Sequence, residues 1–290
     1  MSSSENASAL TAAATTRYRQ QVEAAAEFLT EQTDRVPKTA LLLGAGGTSL
    51  PQDVSATATI PYADIPHVPD GADGTVTMGR WNDAPVVVLD APLPLHDGYT
   101  PREAAFLVRM LAVAGVNTLC LTGVAGGIRA EVAPGDVMLV TNHINFQGVN
   151  PLVGPNIEAW GPRFPDMTEP YDDRLRQSAE TAAVQSEGVL RKGVYIGVLG
   201  PTLGTAAEYR MMRTLGADAV GAGLVPEVIA ARHMDLRVLA LTAITDRCST
   251  DDPEPVSVDD MQSAAESTEP FLQALLARTV SEAAATEATA

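Results

Sequence analysis

Three groups of residues in this chain have types and spacings suited to chemistry. Asp246 and Arg247 follow an apolar run, 236–245, that reads as a buried strand, so they stand at its carboxyl end. In open α/β sheets, ligands gather at the carboxyl ends of strands. An aspartate there accepts hydrogen bonds as a carboxylate or donates one when protonated, and it serves equally well as a loop cap. His96 lies in Leu95-His96-Asp97-Gly98-Tyr99. A histidine there suits acid–base work, or it packs as a loop residue. Gly44-Ala45-Gly46-Gly47-Thr48-Ser49 follows a short strand and carries two hydroxyls. Backbone N–H groups of such turns cradle anions, although here no lysine follows and no dinucleotide fingerprint is complete.

These groups need a scaffold, and the stretch 119–140 supplies its centre. Residues 118–122 are short, apolar and rich in strand formers, as a parallel strand covered on both faces should be. Val124-Ala125-Gly126-Gly127 then reads as a sharp glycine turn, and 134–140 as a second buried strand that ends at 143–146. Around this centre strands and helices alternate. Helices are expected at 18–33, 102–114, 172–187, 205–215, 226–233 and 258–279, and strands at 40–43, 193–199, 219–221 and 236–245, with a hairpin at 75–89. Alternation of this kind predicts an α/β sandwich with helices on both faces of a largely parallel sheet. The strand ends near Gly44, Val124, Gly200 and Thr245 then converge on one edge. The Gly-, Pro- and Asn-rich connection 147–170 is long enough to be functional or part of an interface. The expected organisation is a disordered tail at 1–15, one domain over 16–280, and an acidic, alanine-rich tail at 281–290.

Composition narrows the function classes. In 290 residues, 46% hydrophobic, the formal net charge is -17, which argues against nucleic acid and anionic membrane as partners. No apolar run reaches the roughly 18 residues of a membrane span, and the N-terminus lacks the pattern of a secretory signal. Cys120 and Cys248 give neither a disulfide framework nor metal-ligand spacing, which fits a reduced cytoplasm. Asp251, Asp252 and Glu254 likewise have no metal-ligand spacing. Lys38 and Lys192 are the lysines, and an acidic, lysine-poor surface suits a salt-rich cytoplasm that screens self-repulsion.

Several ordered motifs between about residues 40 and 275 carry a resemblance. They are His96-Asp97-Gly98-Tyr99, Thr122-Gly123-Val124-Ala125-Gly126-Gly127, Gly135-Asp136-Val137-Met138-Leu139 and His143-Ile144-Asn145. Further along come Asn150-Pro151-Leu152-Val153-Gly154-Pro155-Asn156, Arg163-Phe164-Pro165, Gly200-Pro201, residues 216–221, and Val225-Pro226-Glu227-Val228-Ile229 with Ala231-Arg232-His233. Together they resemble the trimeric purine nucleoside phosphorylases and their methylthioadenosine-cleaving relatives. The resemblance implies a single-domain three-layer α/β/α sandwich and a homotrimer. It also implies reversible transfer of a pentosyl group from a purine nucleoside to phosphate, the co-substrate, with no metal or organic cofactor. Phosphate must then be held by positive charge and N–H or O–H donors as the bond to the purine breaks.

Site positions follow from the same resemblance. The phosphate-loop positions are Gly44 and Ala45, where the family has a serine at Ala45, and Pro92 and Pro94, which replace its Arg-x-His. Gly223 replaces a phosphate-touching serine. Val124 and Ala125 keep the backbone contact. His96 takes the place of a sugar-contacting tyrosine, Leu203 and Gly204 those of an aromatic and a carboxylate that hold the base, and Ala222 that of a sugar-side methionine. Thr245-Asp246 replaces a Thr-Asn pair, and an aspartate at that position in the methylthioadenosine branch tilts the base toward adenine. Asp259 or Asp260 falls where a histidine meets the sugar 5′-hydroxyl, and Phe164 matches an aromatic that enters the neighbouring subunit's site. Each hydrogen bond to a charged group is worth about 1.5–3 kcal/mol. Three lost together handicap phosphorolysis by roughly four to six powers of ten if additive. Thr48, Ser49, Arg80 and Arg247 are the candidate replacements. Three functions stay open on residues alone: phosphorolysis, a non-catalytic nucleoside binder or partner subunit, and cleavage by water in place of phosphate. His143 and His233 match scaffold positions, and His67 is uninformative.

Overall fold

A computed structural model describes residues 3–44, 49, 51–248 and 256–288. Four strands form its parallel centre: β1 (Thr39–Leu42), β4 (Ala84–Leu89), β5 (Thr118–Gly127) and β9 (Arg237–Arg247), with β1 between β4 and β5, and β9 against β5. Alternate residues on them face two separate cores, which is why these runs are apolar throughout. Ala40, Leu42, Leu119, Leu121, Val238 and Ala240 pack with helices α1 (Ser3–Glu31), α3 (Phe106–Val113) and α6 (Val225–His233). Leu41, Leu43, Cys120, Leu239 and Leu241 pack with α4 (Asp173–Val184) and α7 (Val258–Ala288). The result is the three-layer single-domain sandwich that the alternating pattern predicts.

The remaining strands are β2 (Ser55–Pro61), β3 (Thr75–Trp81), β6 (Val137–Asn145), β7 (Leu190–Gly197) and β8 (Ala219–Gly221). Among the described residues the sheet runs β2-β3-β4-β1-β5-β8-β7-β6-β9 and closes on itself where β9 returns to β5. It is mixed. The pairs β2–β3, β3–β4, β5–β8 and β6–β9 are antiparallel, and the others are parallel. The closed end matters for function, because it gathers the carboxyl ends of β5, β7 and β9 around one hollow.

Several local expectations change. Val124-Ala125-Gly126-Gly127 is no turn; it continues β5 and pairs with β9. Its glycines serve close approach instead. A Cβ on Gly126 would sit 2.5 Å from Cys248 Sγ and 2.8 Å from Asp246 Oδ2, and one on Gly127 would collide with the Val132 carbonyl. The helix expected from residue 18 begins at Ser3, so the tail expected to be disordered at 1–15 lies almost wholly within α1. Alanine, which recurs through 7–14, has the highest helix propensity and outweighs the polar composition there. By the same preference α7 runs on through 281–288. The helix expected over 102–114 is broken at Ala105 into α2 (Pro101–Ala104) and α3; Thr100 and Glu103 form a reciprocal capping box at its start. Strand β2 escapes notice because it is an edge strand with largely exposed residues and no apolar alternation.

Candidate ligand site

A cavity of about 410 Å³ opens at the carboxyl edge of the closed sheet. Val124, Ala125 and Gly126 from the end of β5 form one wall, and Thr245 and Asp246 from the end of β9 lie beside them. The segment 198–204 after β7, the residues Val220, Gly221 and Ala222 at β8, and the helix α5 (Ala206–Thr214) complete it. His96 sits at the rim on a short 3-10 turn, Leu95–Asp97. The lining is chiefly aliphatic and aromatic with a few polar groups, the composition of a site for a flat, partly polar small molecule.

The polar end of the cavity is built around Asp246, which is 9% exposed. Thr245 Oγ1 donates to Asp246 Oδ1 at 2.8 Å, and the Cys248 thiol approaches Oδ2 at 3.8 Å. The Cys248 N–H donates to the Gly127 carbonyl at 2.9 Å, which fixes the backbone where β9 ends. Burial, reinforced by the neighbouring Asp246 charge, pushes the Cys248 thiol up to about 12, so it stays protonated and able to donate. Asp246 is thereby oriented as an acceptor at the floor of an apolar slot.

Around the slot, the Gly204 N–H donates to the Tyr209 hydroxyl at 3.0 Å, tying the loop after β7 to α5. Burial raises the Tyr209 phenol well above its ordinary value. Gln147 Nε2 reaches the Val198 and Ala222 carbonyls at 3.4 and 3.5 Å. The Gly223 N–H donates to the Tyr195 hydroxyl at 3.3 Å. Beneath this segment Glu227 is 3% exposed with Oε2 unpartnered, and burial raises its carboxyl to about 7.

Of the residues singled out in the sequence, His96, Val124, Ala125, Leu203, Gly204, Ala222, Thr245 and Asp246 come together on this cavity. Gly223 adjoins Ala222 without lining it. Gly44 lies at the same sheet edge, its N–H donating to Thr122 Oγ1 at 3.2 Å; a Cβ there would strike the Thr122 carbonyl. Ala45, Thr48 and the acidic positions 251, 252 and 254 lie outside the described residues. Pro92 and Pro94 are half-buried ahead of the His96 turn and carry neither charge nor N–H. Phe164 stands apart on the 147–170 connection, 87% exposed, with the Arg163 guanidinium 5.5 Å from its ring centre. Asp259 and Asp260 are exposed on the first turn of α7, and Met261 beside them reaches the cavity.

The candidate replacement cations do not enter the site. Arg80 donates to the Asp83 carbonyl at the β3–β4 hairpin, and Arg247 to the Ala130 carbonyl at 3.2 Å. Ser49 is held by Glu269 through both its N–H and its hydroxyl. Among the described residues, no arginine or lysine lines the cavity. Nor is any group of three or more His, Cys, Asp or Glu side chains arranged to hold a metal ion. Sequence reasoning missed Phe146, Glu208, Tyr209, Met212 and Cys248, all of which line the cavity. The i, i+3 spacing of Tyr209 and Met212 put them on one face of α5, a legible signal, whereas Cys248, a lone cysteine in a loop, carried none.

Fold and site together define an α/β protein of the nucleoside phosphorylase type, with a cavity at the carboxyl edge of a mixed sheet. Residues 39–281 match the phosphorylase superfamily. Purine nucleoside phosphorylase 1 of Geobacillus stearothermophilus is 40% identical over 247 residues, covering 84% of this chain and 90% of that protein. The purine nucleoside phosphorylase of Bos taurus is 38% identical over 235 residues, covering 78% and 81%. Among solved structures, Schistosoma mansoni purine nucleoside phosphorylase in complex with adenosine superposes with a TM-score of 0.85 at 29% identity, covering 90% of this chain and 96% of that one. Isoform 2 from the same organism, with cytosine and ribose-1-phosphate, gives 0.86 at 31% identity, covering 90% and 95%. The chain belongs to the phosphorylase superfamily, as a homologue of the purine nucleoside phosphorylases.

Proposed function

We propose that this chain binds a purine nucleoside in the cavity and transfers its pentosyl group to phosphate, giving free base and pentose 1-phosphate. The observation that carries this reading is the buried Asp246, held by Thr245 and Cys248 at the polar end of an apolar slot. Such an acceptor suits a donor on the purine edge, and a 6-amino group fits it best. His96, exposed at the rim, faces the sugar, and the backbone of Val124 and Gly44 lies on the phosphate side. Phe164 reaches a neighbour's site in a homotrimer, which accounts for an aromatic ring exposed on the long connection. The protein works in a reduced cytoplasm, where Cys120 and Cys248, both free and buried, stay as thiols. No helix among the described residues is long and apolar enough to cross a membrane.

A specific observation favours a second reading, a nucleoside binder or partner subunit without phosphorolysis: the described lining of the cavity holds no cation for the phosphate dianion. Purine release from inosine, guanosine, adenosine and methylthioadenosine, with and without phosphate, separates them. Phosphate-dependent release supports the transferase. Tight nucleoside binding with no release supports the binder, and release that ignores phosphate means water is the acceptor.

A further inference from the structure

A second, much smaller cavity, about 20 Å³, lies away from the ligand site between α1, α3 and the 147–170 connection. Tyr18, Arg102, Arg109, Trp160 and His233 are among the residues that line it. Arg109 is only 4% exposed, and its Nε and Nη1 have no hydrogen-bond partner. The guanidinium carbon sits 4.8 Å from the centre of the Trp160 ring, and Tyr18 meets the same ring edge-on at 5.9 Å. The Tyr18 hydroxyl, which donates to the Arg102 carbonyl at 2.7 Å, offers Arg109 an acceptor oxygen. The Arg102 guanidinium carbon lies over the Tyr18 ring, 5.7 Å from its centre, and Arg102 reaches Thr15 Oγ1 at 3.5 Å. His233 is 4% exposed, its ring beside the Gly161 and Pro162 backbone.

A buried guanidinium needs a counter-charge, because desolvation of an unpaired ion costs several kcal/mol. None is supplied within the described chain: neither Arg102 nor Arg109 forms an ion pair there. The nearby carboxylates are committed elsewhere. Glu103 accepts from the Thr100 N–H at 2.7 Å, and Glu158 accepts from Asn156 at 3.0 Å. An aromatic face offsets only part of the charge. The volume of about 20 Å³ is little more than the roughly 10–15 Å³ that one water requires, which suits a monatomic ion.

We propose that this cavity binds a single monatomic anion of chloride's size and charge, held by the free N–H groups of Arg109 with Arg102 and His233 beside it. The ion fastens the connection that carries Phe164 to α1 and α3. It therefore acts on the geometry of the loop and not on the purine cavity itself.

Chloride-35 line broadening by the intact protein, at fixed ionic strength made up with gluconate, tests it. The expected result is excess broadening over Arg109→Met, abolished by competing bromide, and an anomalous bromide peak within contact of Arg109 in crystals grown with bromide. Should Arg109→Met fail to fold, Arg102→Met at the cavity rim replaces it, with broadening reduced relative to the wild type. Broadening equal in wild type and variants, together with no bromide peak, overturns the proposal; so does a water or a neighbouring subunit's carboxylate on Arg109.

Discussion

At the end of β9, Asp246 accepts from Thr245 on one oxygen and approaches Cys248 on the other. An acceptor-only carboxylate favours a ligand that donates. Asp246→Asn, which adds an N–H donor in the same shape, should shift selectivity from 6-amino toward 6-oxo purines by about ten-fold or more, the worth of one hydrogen bond to a charged group. Comparing Kd for adenosine and inosine in the two proteins checks it; an unchanged ratio removes Asp246 from base recognition. At Gly223 an added Cβ meets nothing within 4 Å. Gly223→Ser should therefore fold normally and lower the phosphate KM several-fold by adding one hydroxyl donor, as read from initial rates. The cysteines give a third test. Burial raises both Cys120 and Cys248 to about 12, so the native protein should resist a thiol-reactive dye at pH 8, whereas the unfolded chain reacts at both positions. Thr245 and Asp246 were legible as cavity residues because they end a strongly apolar strand. Cys248 was not, since a lone cysteine in a loop carries no spacing signal until the partner strand is in place.

Elements set the pH response. Glu227 lies in the first turn of α6 with its carboxyl raised by burial to about 7. A raised folded value means the protonated form stabilises: the contribution is complete below the ordinary glutamate value and is lost as pH rises through about 7. His143 at the end of β6 runs the other way. Burial lowers it to about 4, so its contribution is complete above the ordinary histidine value and is lost as pH falls toward 4. The two slopes oppose each other between about pH 4.5 and 6.5, so the test is differential. Subtracting the unfolding free energy of Glu227→Gln from that of the wild type should leave a difference that falls with pH across this window; a flat difference contradicts a protonated Glu227. The element pattern itself was largely readable. Parallel strands buried on both faces leave continuous apolar runs, as at β5 and β9. What the pattern hid were contacts made by absence. Gly126 and Gly127 read as a turn because a glycine pair allows one, while their reason is the approach of Cys248, Asp246 and Val132.

For the whole molecule, charge and assembly are the open quantities. A net charge of -17 places self-repulsion on the folded surface, so the midpoint of chemical denaturation by urea should rise as salt screens it. A midpoint indifferent to salt contradicts the expected salt-rich setting. Sedimentation should give a trimer of the 30.3 kDa chain. The measurement that bears most directly on function is purine release from adenosine and methylthioadenosine at high salt, with phosphate added and omitted. Release that requires phosphate is the predicted result, at a rate well below that of a site with an arginine on the anion. No release from a preparation that binds the nucleoside would contradict the transferase and leave a binding protein built on the phosphorylase fold.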